Sequence, residues 1–265
     1  MTLHRARKRF GQNFLHDQRI IAGIVAAIHP LPKDHLVEIG PGMGAITQPL
    51  LDSGTRLDVV ELDRDLIPIL QQKLGSSARL KIHQQDALKF DFCSLAEAGE
   101  PLRVVGNLPY NISTPLIFHL LDQAHCIRDM HFMLQKEVVD RLAAAPGCAD
   151  YGRLGIMVQS RCEVEQLFTV PPGSFNPAPK VDSAIVRLTP WDKPPVAIAD
   201  QAQFAKVVAQ AFTQRRKTLR NNLKGLIDAA ALEALGIDPG RRPETLSLGE
   251  FAAIANDLPP MPPRS

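Results

Sequence analysis

No run of about 20 apolar residues occurs in the chain, so no membrane-spanning helix is expected. The basic residues Arg5, Arg7, Lys8 and Arg9 are not followed by a secretory-type apolar segment. Cysteine is sparse. Cys93, Cys126, Cys148 and Cys162 form no CxxC pair, and no histidine cluster completes a zinc set. They are expected as reduced thiols of a soluble cytoplasmic protein, with no metal site. Charge of one sign is also missing in excess: 30 Lys and Arg against 28 Asp and Glu leave +2. Overall charge therefore announces no nucleic-acid partner, and any basic surface must come from clustering. Internal repeats and long exposed heptads are absent, and a monomer is expected.

What the chain does contain is apolar content and a pattern. At 265 residues and 45% hydrophobic, it can build one large domain, or one with a small companion. Asp17 is placed to cap a helix carrying Ile20, Ile21, Ile24, Val25 and Ile28 at helical spacing. From 36 to 145 strand and helix patterns alternate, with strands at 36–39, 57–62, 80–83, 102–107 and 130–134. Helices are expected after each, the last over 136–145. Segments 156–160, 164–170 and 183–188 read as strands without intervening helices, hence an antiparallel edge. Pro190-Trp191-Asp192-Lys193-Pro194-Pro195 reads as a linker, followed by helical patterns including 203–212 and 216–226. The expected organisation is an α/β domain over 1–190, a small all-α domain over 196–258, and a proline-rich disordered tail over 259–265. Residues 1–12, polar and basic, are expected to be mobile.

The strand ends carry the chemistry. Glu38 to Gly44 reads E-x-G-x-G-x-G at the end of the first alternating strand. Glycines there allow a tight turn and bring backbone close to a ligand at a helix start. The GxGxG spacing departs from the dinucleotide GxGxxG, and no basic residue for phosphate sits nearby. Glu61 ends the next strand, about 20 residues on, where a carboxylate can accept both hydroxyls of a ribose. Asp86 ends the third and can accept from an adenine amine. An adenosine-containing cofactor follows, either NAD or S-adenosylmethionine.

Asn107-Leu108-Pro109-Tyr110 decides between them. It follows the apolar strand from Arg103 and offers a side-chain amide, a carbonyl before proline and an aromatic face. Those groups can hold a flat base by its amino group, whereas no convincing hydride-transfer partner is present for an NAD oxidoreductase. DNA adenine methylation is open on the chemistry alone.

With these motifs in hand, the chain resembles the class I S-adenosylmethionine-dependent methyltransferases. More narrowly it is similar to the ribosomal RNA adenine dimethyltransferase family. The likeness covers nearly the whole chain and rests on residues 7–15, 38–42, 61–63, 106–112, 133–138, 175–183 and 212–221. Erythromycin-resistance rRNA methyltransferases share most of the first part; the runs 175–183 and 215–221 favour the dimethyltransferase branch. The resemblance implies a Rossmann-like sheet and S-adenosylmethionine as cofactor. Asn13 and Leu15 would close over the cofactor, with Gly40 and Gly42 in its glycine loop. Glu61 would hold the ribose, Asp86 would read the adenine, and Asn107 would lie near both cofactor and target amine. It further implies two adjacent adenosines in the 3′-terminal hairpin loop of 16S rRNA as substrate, within the assembling small ribosomal subunit. Leu108, Pro109, Tyr110 and Phe175 complete the expected catalytic set, Tyr110 and Phe175 as faces for the target base. A ribosome-assembly checkpoint that binds independently of catalysis is the alternative.

One basic run stands out. Residues 203–227 contain Lys206, Arg215, Arg216, Lys217, Arg220 and Lys224 and no Asp or Glu. Arg216, Arg220 and Lys224 recur every four residues and make one stripe, and Phe212, Leu219, Leu223 and Leu226 make an apolar one. Contact with RNA phosphates is expected of Arg215, Arg216, Lys217, Arg220 and Lys224.

Overall fold

The computed structural model describes residues 13–259, apart from residues 98 and 215. The expectations for residues 1–12, for Arg215 and for the end of the tail lie outside the described residues. The chain divides into two compact units, one of residues up to Val139 with Glu165–Pro190, the other of Asp140–Val164 with the chain from Trp191.

The first unit opens with β1 (Phe14–Leu15) and α1 (Gln18–Ile28). Asp17 caps α1 as its position implies, accepting from the Arg19 and Ile20 amides at 2.9 and 3.4 Å. His29, in the left-handed region, closes the helix before Pro30. There follow β2 (His35–Ile39), α2 (Thr47–Asp52), β3 (Arg56–Glu61), α3 (Ile67–Leu74) and β4 (Leu80–Gln84). Then come β5 (Leu102–Asn107), α4 (Ser113–Asp122), β6 (Ile127–Gln135) and α5 (Lys136–Ala143). Pro68 lies in the first turn of α3, where its missing N–H costs nothing.

β2 to β6 make a parallel sheet in the order β4-β3-β2-β5-β6. β9 (Ser183–Pro190) then pairs antiparallel with β6, and β7 (Cys162–Val170) forms the far edge. The short β1 pairs with β8 (Phe175–Asn176), setting Leu15 opposite Phe175. The central strand β2 is buried along its whole length, His35 and Glu38 included, as expected of a parallel strand packed on both faces. The order reverses between β2 and β5, which run in register with Ile39 opposite Gly106. In such sheets ligands bind at the carboxyl ends of the strands at this switch point.

The second unit contains α6 (Arg153–Gln159), α7 (Gln201–Ala211), α8 (Leu219–Asn222), α9 (Ala229–Ala234) and α10 (Leu248–Asp257). Its core joins Ile156, Phe204, Val208, Leu219, Leu232 and Phe251. Each such fully buried side chain contributes about 1.5–3 kcal/mol.

Three expectations are corrected here. Segment 156–160, read as a strand, is the helix α6: Ile156 and Val158 bury into the helical core, and Gly155 packs so closely that a Cβ would lie 2.5 Å from the Arg141 carbonyl. Residues 140–164 therefore belong to the C-terminal unit and not to the unit ending at Pro190. The helix expected over 216–226 shrinks to α8. The Leu219 and Arg220 amides donate to the Arg241 and Pro239 carbonyls, at 2.9 and 3.0 Å, and the Asn222 side chain donates to the Gln214 and Lys217 carbonyls. Those bonds replace the intrahelical ladder.

A fourth correction concerns the cysteines. Cys93 and Cys126 form a disulfide, while Cys148 is an exposed and Cys162 a buried free thiol. His125 stands beside the pair, so a cysteine–histidine set does gather in space although its spacing shows no motif. No helix among the described residues is long and apolar enough to cross a membrane.

Candidate active site

A cavity of about 360 Å³ opens at the switch point of the sheet. It gathers Asn13, Leu15, Gly40, Gly42, Glu61, Asp86, Asn107, Leu108, Pro109, Tyr110 and Phe175, every residue expected for cofactor or target base. These come from six separate strand ends and loops: the parallel strand order brings those of β2 to β5 together, and the antiparallel β1–β8 pair adds Asn13, Leu15 and Phe175.

The glycine loop floors the cavity. Gly42 has φ +57, and a Cβ there would lie 3.3 Å from the Phe14 ring. A side chain would be strained by the backbone and crowded by that ring. Gly106 is constrained differently: a Cβ would meet the Ile39 carbonyl at 2.6 Å. Absence of a side chain there lets β2 and β5 keep register up to Asn107.

Three acidic residues line the same space. Glu38 is 2% exposed, and its Oε2 has no partner among the described residues. Burial pushes its carboxyl up to about 7, opposed by the Thr47 side chain and reinforced by the nearby Glu61 charge. Burial likewise raises Glu61, whose Oε1 accepts from the Asp63 amide at 2.8 Å. The Gly42 and Leu62 amides also approach this carboxylate and oppose the effect of burial. Asp86 is half-buried and spends Oδ1 on the Leu88 amide at 3.0 Å.

Asn107 is oriented by the chain itself. Its Nδ2 donates to the Asn13 carbonyl at 3.3 Å, which presents Oδ1 as the acceptor. Leu108 is buried and its amide donates to the Met133 carbonyl at 3.2 Å, fixing the peptide between Asn107 and Leu108. Tyr110 is held at its far end by a 3.1 Å hydrogen bond between its hydroxyl and that of Ser183. Phe175 differs from expectation. It lines the cavity but is 4% exposed and packs in the core with Leu15 and Val170. A ring so enclosed offers an edge of the wall and little free stacking face.

Sequence reasoning named Glu38 only as part of the glycine motif and gave Leu62 no role. Leu62 lines the cavity with 51% exposure, next to Glu61. An exposed leucine has no signature in sequence, because its exposure depends on what packs over it.

The sheet order, the glycine loop and the acidic strand ends define a Rossmann-like methyltransferase. The chain belongs to the ribosomal RNA adenine dimethylases, whose family model matches residues 3–259. It is an enzyme that methylates adenine in ribosomal RNA. It is 63% identical over 259 residues to the ribosomal RNA small subunit methyltransferase A of Pseudomonas aeruginosa, covering 98% of this chain and 97% of that one. Identity to the protein of that name from Saccharophagus degradans is also 63%, over 98% of this chain and 97% of the relative. Among solved structures, a dimethyladenosine transferase from Plasmodium falciparum superposes with TM-score 0.78 at 25% identity, covering 91% of this chain and 95% of the other. The 23S rRNA methyltransferase ErmE gives 0.71 at 27% identity, over 93% and 99%.

Proposed function

We propose that the enzyme dimethylates the exocyclic amines of two adjacent adenosines in the 3′-terminal hairpin loop of 16S rRNA, using S-adenosylmethionine, on the small ribosomal subunit. The reading of the reaction is carried by Asn107: its amide nitrogen is tied to Asn13, so its oxygen is the group offered to an incoming amine. The choice of small-subunit RNA is supported by the name and near-complete coverage of the relatives. Such a substrate implies the cytoplasm, and the protein acts as a monomer.

The residues present fit the cofactor. An unpartnered, buried Glu38 oxygen suits an ammonium, Glu61 suits a ribose diol, and Asp86 suits an adenine amine. Exposed Leu62 gives an apolar surface for the ring, and Asn13 and Leu15 border the same space. S-adenosylmethionine supplies an electrophilic methyl group on a sulfonium centre. Asn107 Oδ1 and the Leu108 carbonyl accept the two N–H groups of the target amine. An adenine amine is a poor nucleophile because its lone pair is delocalised into the ring, and those two acceptors localise it. Pro109 fixes the turn that aims the carbonyl, and Tyr110 stacks on the unstacked base, worth about 1–3 kcal/mol. No strong general base is required, since the nitrogen is acidic once it is cationic. Orientation supplies most of the rate, up to roughly 7–11 kcal/mol.

The test is methyl transfer to small subunits lacking the hairpin methylation, read by mass spectrometry of nucleosides. Dimethyladenosine in the terminal hairpin is expected; transfer to another RNA site would overturn the substrate assignment.

Glu38 makes cofactor binding depend on pH. Its folded value lies above the ordinary 4.5, so the stability it contributes is full below that value and is lost as pH rises through about 7. An ammonium beside it favours the ionised form and reverses that cost. Affinity for S-adenosylhomocysteine is therefore expected to rise with pH up to about 7, approaching tenfold per pH unit. Glu38→Gln is expected to flatten the profile. Calorimetry in buffers of different ionisation enthalpy measures the released proton, and a profile unchanged by the substitution would remove Glu38 from the site.

The C-terminal unit supports RNA contact. Arg216, Lys217, Arg220 and Lys224 are all exposed although most of their run is not helical. Leu219 and Leu223 are buried, so the basic and apolar sides stay separate. Arg220 and Lys224 border an open cleft of about 540 Å³. Binding to RNA is expected to weaken steeply with salt, and Arg220→Ala with Lys224→Ala to lower the slope by roughly 1 per lost phosphate contact. A salt slope unchanged by both substitutions in a filter-binding titration would exclude this surface.

A further inference from the structure

Three metal-binding side chains outside the cavity come together where α4 ends and β6 begins. Cys93 and Cys126 have Cα atoms 5.6 Å apart, and the His125 Nε2 lies 3.4 Å from the Cys93 Sγ. One ligand atom from each of the three lies within 4.8 Å of the others. A tetrahedral zinc ion, with Zn–S about 2.3 Å and Zn–N about 2.0–2.1 Å, would set sulfur and nitrogen roughly 3.6 Å apart. The imidazole is already near that distance.

The two loops are held together by more than the sulfur atoms. Gln123, at the end of α4, accepts from the Phe92 and Cys93 amides through Oε1, at 2.7 and 3.2 Å. Its Nε2 donates to the Phe90 carbonyl at 3.2 Å. The backbone that carries Cys93 is thus anchored three residues before Cys126 whether or not the disulfide is present. The Gln123 carbonyl oxygen lies 3.4 Å from Cys93 Sγ and 3.1 Å from Cys126 Sγ, an acceptor for both thiols when reduced. His125 is exposed and Cys93 half-buried, so an ion has a path in.

We propose that Cys93, Cys126 and His125 form a binding site for one zinc ion when the cysteines are reduced, and that the disulfide is the metal-free alternative. Reduction by a small-molecule thiol transfers two electrons and two protons to the disulfide, giving two cysteine thiols and the oxidised disulfide of the reductant. Zinc then displaces both thiol protons and takes two thiolates and the neutral imidazole as ligands, which leaves one position for water. In the reverse step the oxidised disulfide of the same small thiol accepts two electrons from the two thiolates and two protons from solvent, which re-forms the Cys93–Cys126 disulfide, returns two small-molecule thiols and releases the ion. The site clasps the segment that follows Asp86 to the end of the helix that follows the Asn107 loop.

The test uses the full chain, reduced and stripped of metal, titrated with cobalt(II) as a spectroscopic probe. One equivalent is expected to give the visible bands of a tetrahedral thiolate site, and zinc to bleach them. Cys93→Ser and Cys126→Ser should lose the bands, His125→Ala should weaken binding and shift the bands, and Cys148→Ser should leave them unchanged. Retention of S-adenosylhomocysteine binding reports that the variants fold. Independently of any variant, one equivalent of zinc should protect Cys93 and Cys126 of the reduced wild type from alkylation while Cys148 reacts. Absence of the bands in the reduced wild type, their survival in both cysteine variants, or equal alkylation with and without zinc would overturn the proposal.

Discussion

Asn107→Ala is expected to lower methyl transfer to small subunits by at least about 10²-fold while leaving cofactor binding near wild type. The loss of one preorganised polar group aimed at developing charge typically costs that much. Asn107 faces the cavity from the end of β5, and its amide nitrogen is already committed to the Asn13 carbonyl. Truncation removes the acceptor that localises the amine lone pair and also frees the Asn13 segment. Asn107→Asp separates these effects, since it keeps an acceptor oxygen and loses the donor to Asn13. The rate should fall further in Asn107→Ala than in Asn107→Asp, with KM for RNA little changed in either, because the phosphate contacts proposed for the C-terminal unit are untouched. Single-turnover transfer from labelled cofactor measures it. Wild-type turnover by Asn107→Ala would take Asn107 out of the reaction. An Asn107→Ala enzyme that binds subunits but blocks their maturation would establish the assembly role as separate from catalysis.

The largest expected effect on stability lies at the opposite end of the same strand. Arg103 is the second residue of β5, with its side chain 7% exposed. It donates to Asp34 at 2.9 Å, to both oxygens of Asp129 at 3.0 Å, and to the Ile28 and His29 carbonyls at 2.6 and 3.3 Å. One guanidinium thus binds two carboxylates and the last carbonyls of α1, where the helix dipole favours a cation. Arg103→Ala would leave the buried Asp34 and the half-buried Asp129 with only the more exposed Arg128 as a shared arginine partner, at 3.2 and 3.3 Å, so the loss is placed at the lower end of about 3–5 kcal/mol. The sign of the pH effect follows from those acids. Burial raises Asp129, but His131 and Arg103 outweigh it and hold the carboxyl at about 2. Asp34 is also held below the ordinary 3.8: burial raises it, and the Leu31 amide and Arg103 outweigh that. Groups depressed on folding contribute stability above their unfolded values, and it is lost as pH falls through the folded ones. The gap between wild type and Arg103→Ala should therefore be widest near neutrality and narrow as pH falls from about 4 towards 2. Urea midpoints across pH measure it; a gap that is constant or widens on acidification would mean the network is not electrostatic.

These two residues mark what each level of description decided. Sequence alone determined the alternation of strand and helix, the cap at Asp17 and the residues at the strand ends. Those follow from local periodicity and backbone chemistry, which need no distant partner. The expected residues after β2 to β5 reached the cavity because in a parallel sheet every such strand delivers its carboxyl end to the same edge, whereas Asn13, Leu15 and Phe175 reached it through the separate antiparallel pairing of β1 with β8.

Tertiary structure decided whatever depends on a neighbour far along the chain. Segment 156–160 became a helix because the helical core offered its apolar residues a better burial than a sheet edge. Residues 216–226 gave up most of their helix because carbonyls at 239 and 241 took the amides. Phe175 went into the wall and not onto a free face, since Leu15 pairs against it across β1 and β8. Arg103, in sequence merely a charge at a strand start, became the counter-ion of two acids 69 and 26 residues away. Cys93, His125 and Cys126 met for the same reason. Their spacing in sequence carries no pattern, and only the packing of the end of α4 against the loop before β5 brings their ligand atoms into one place.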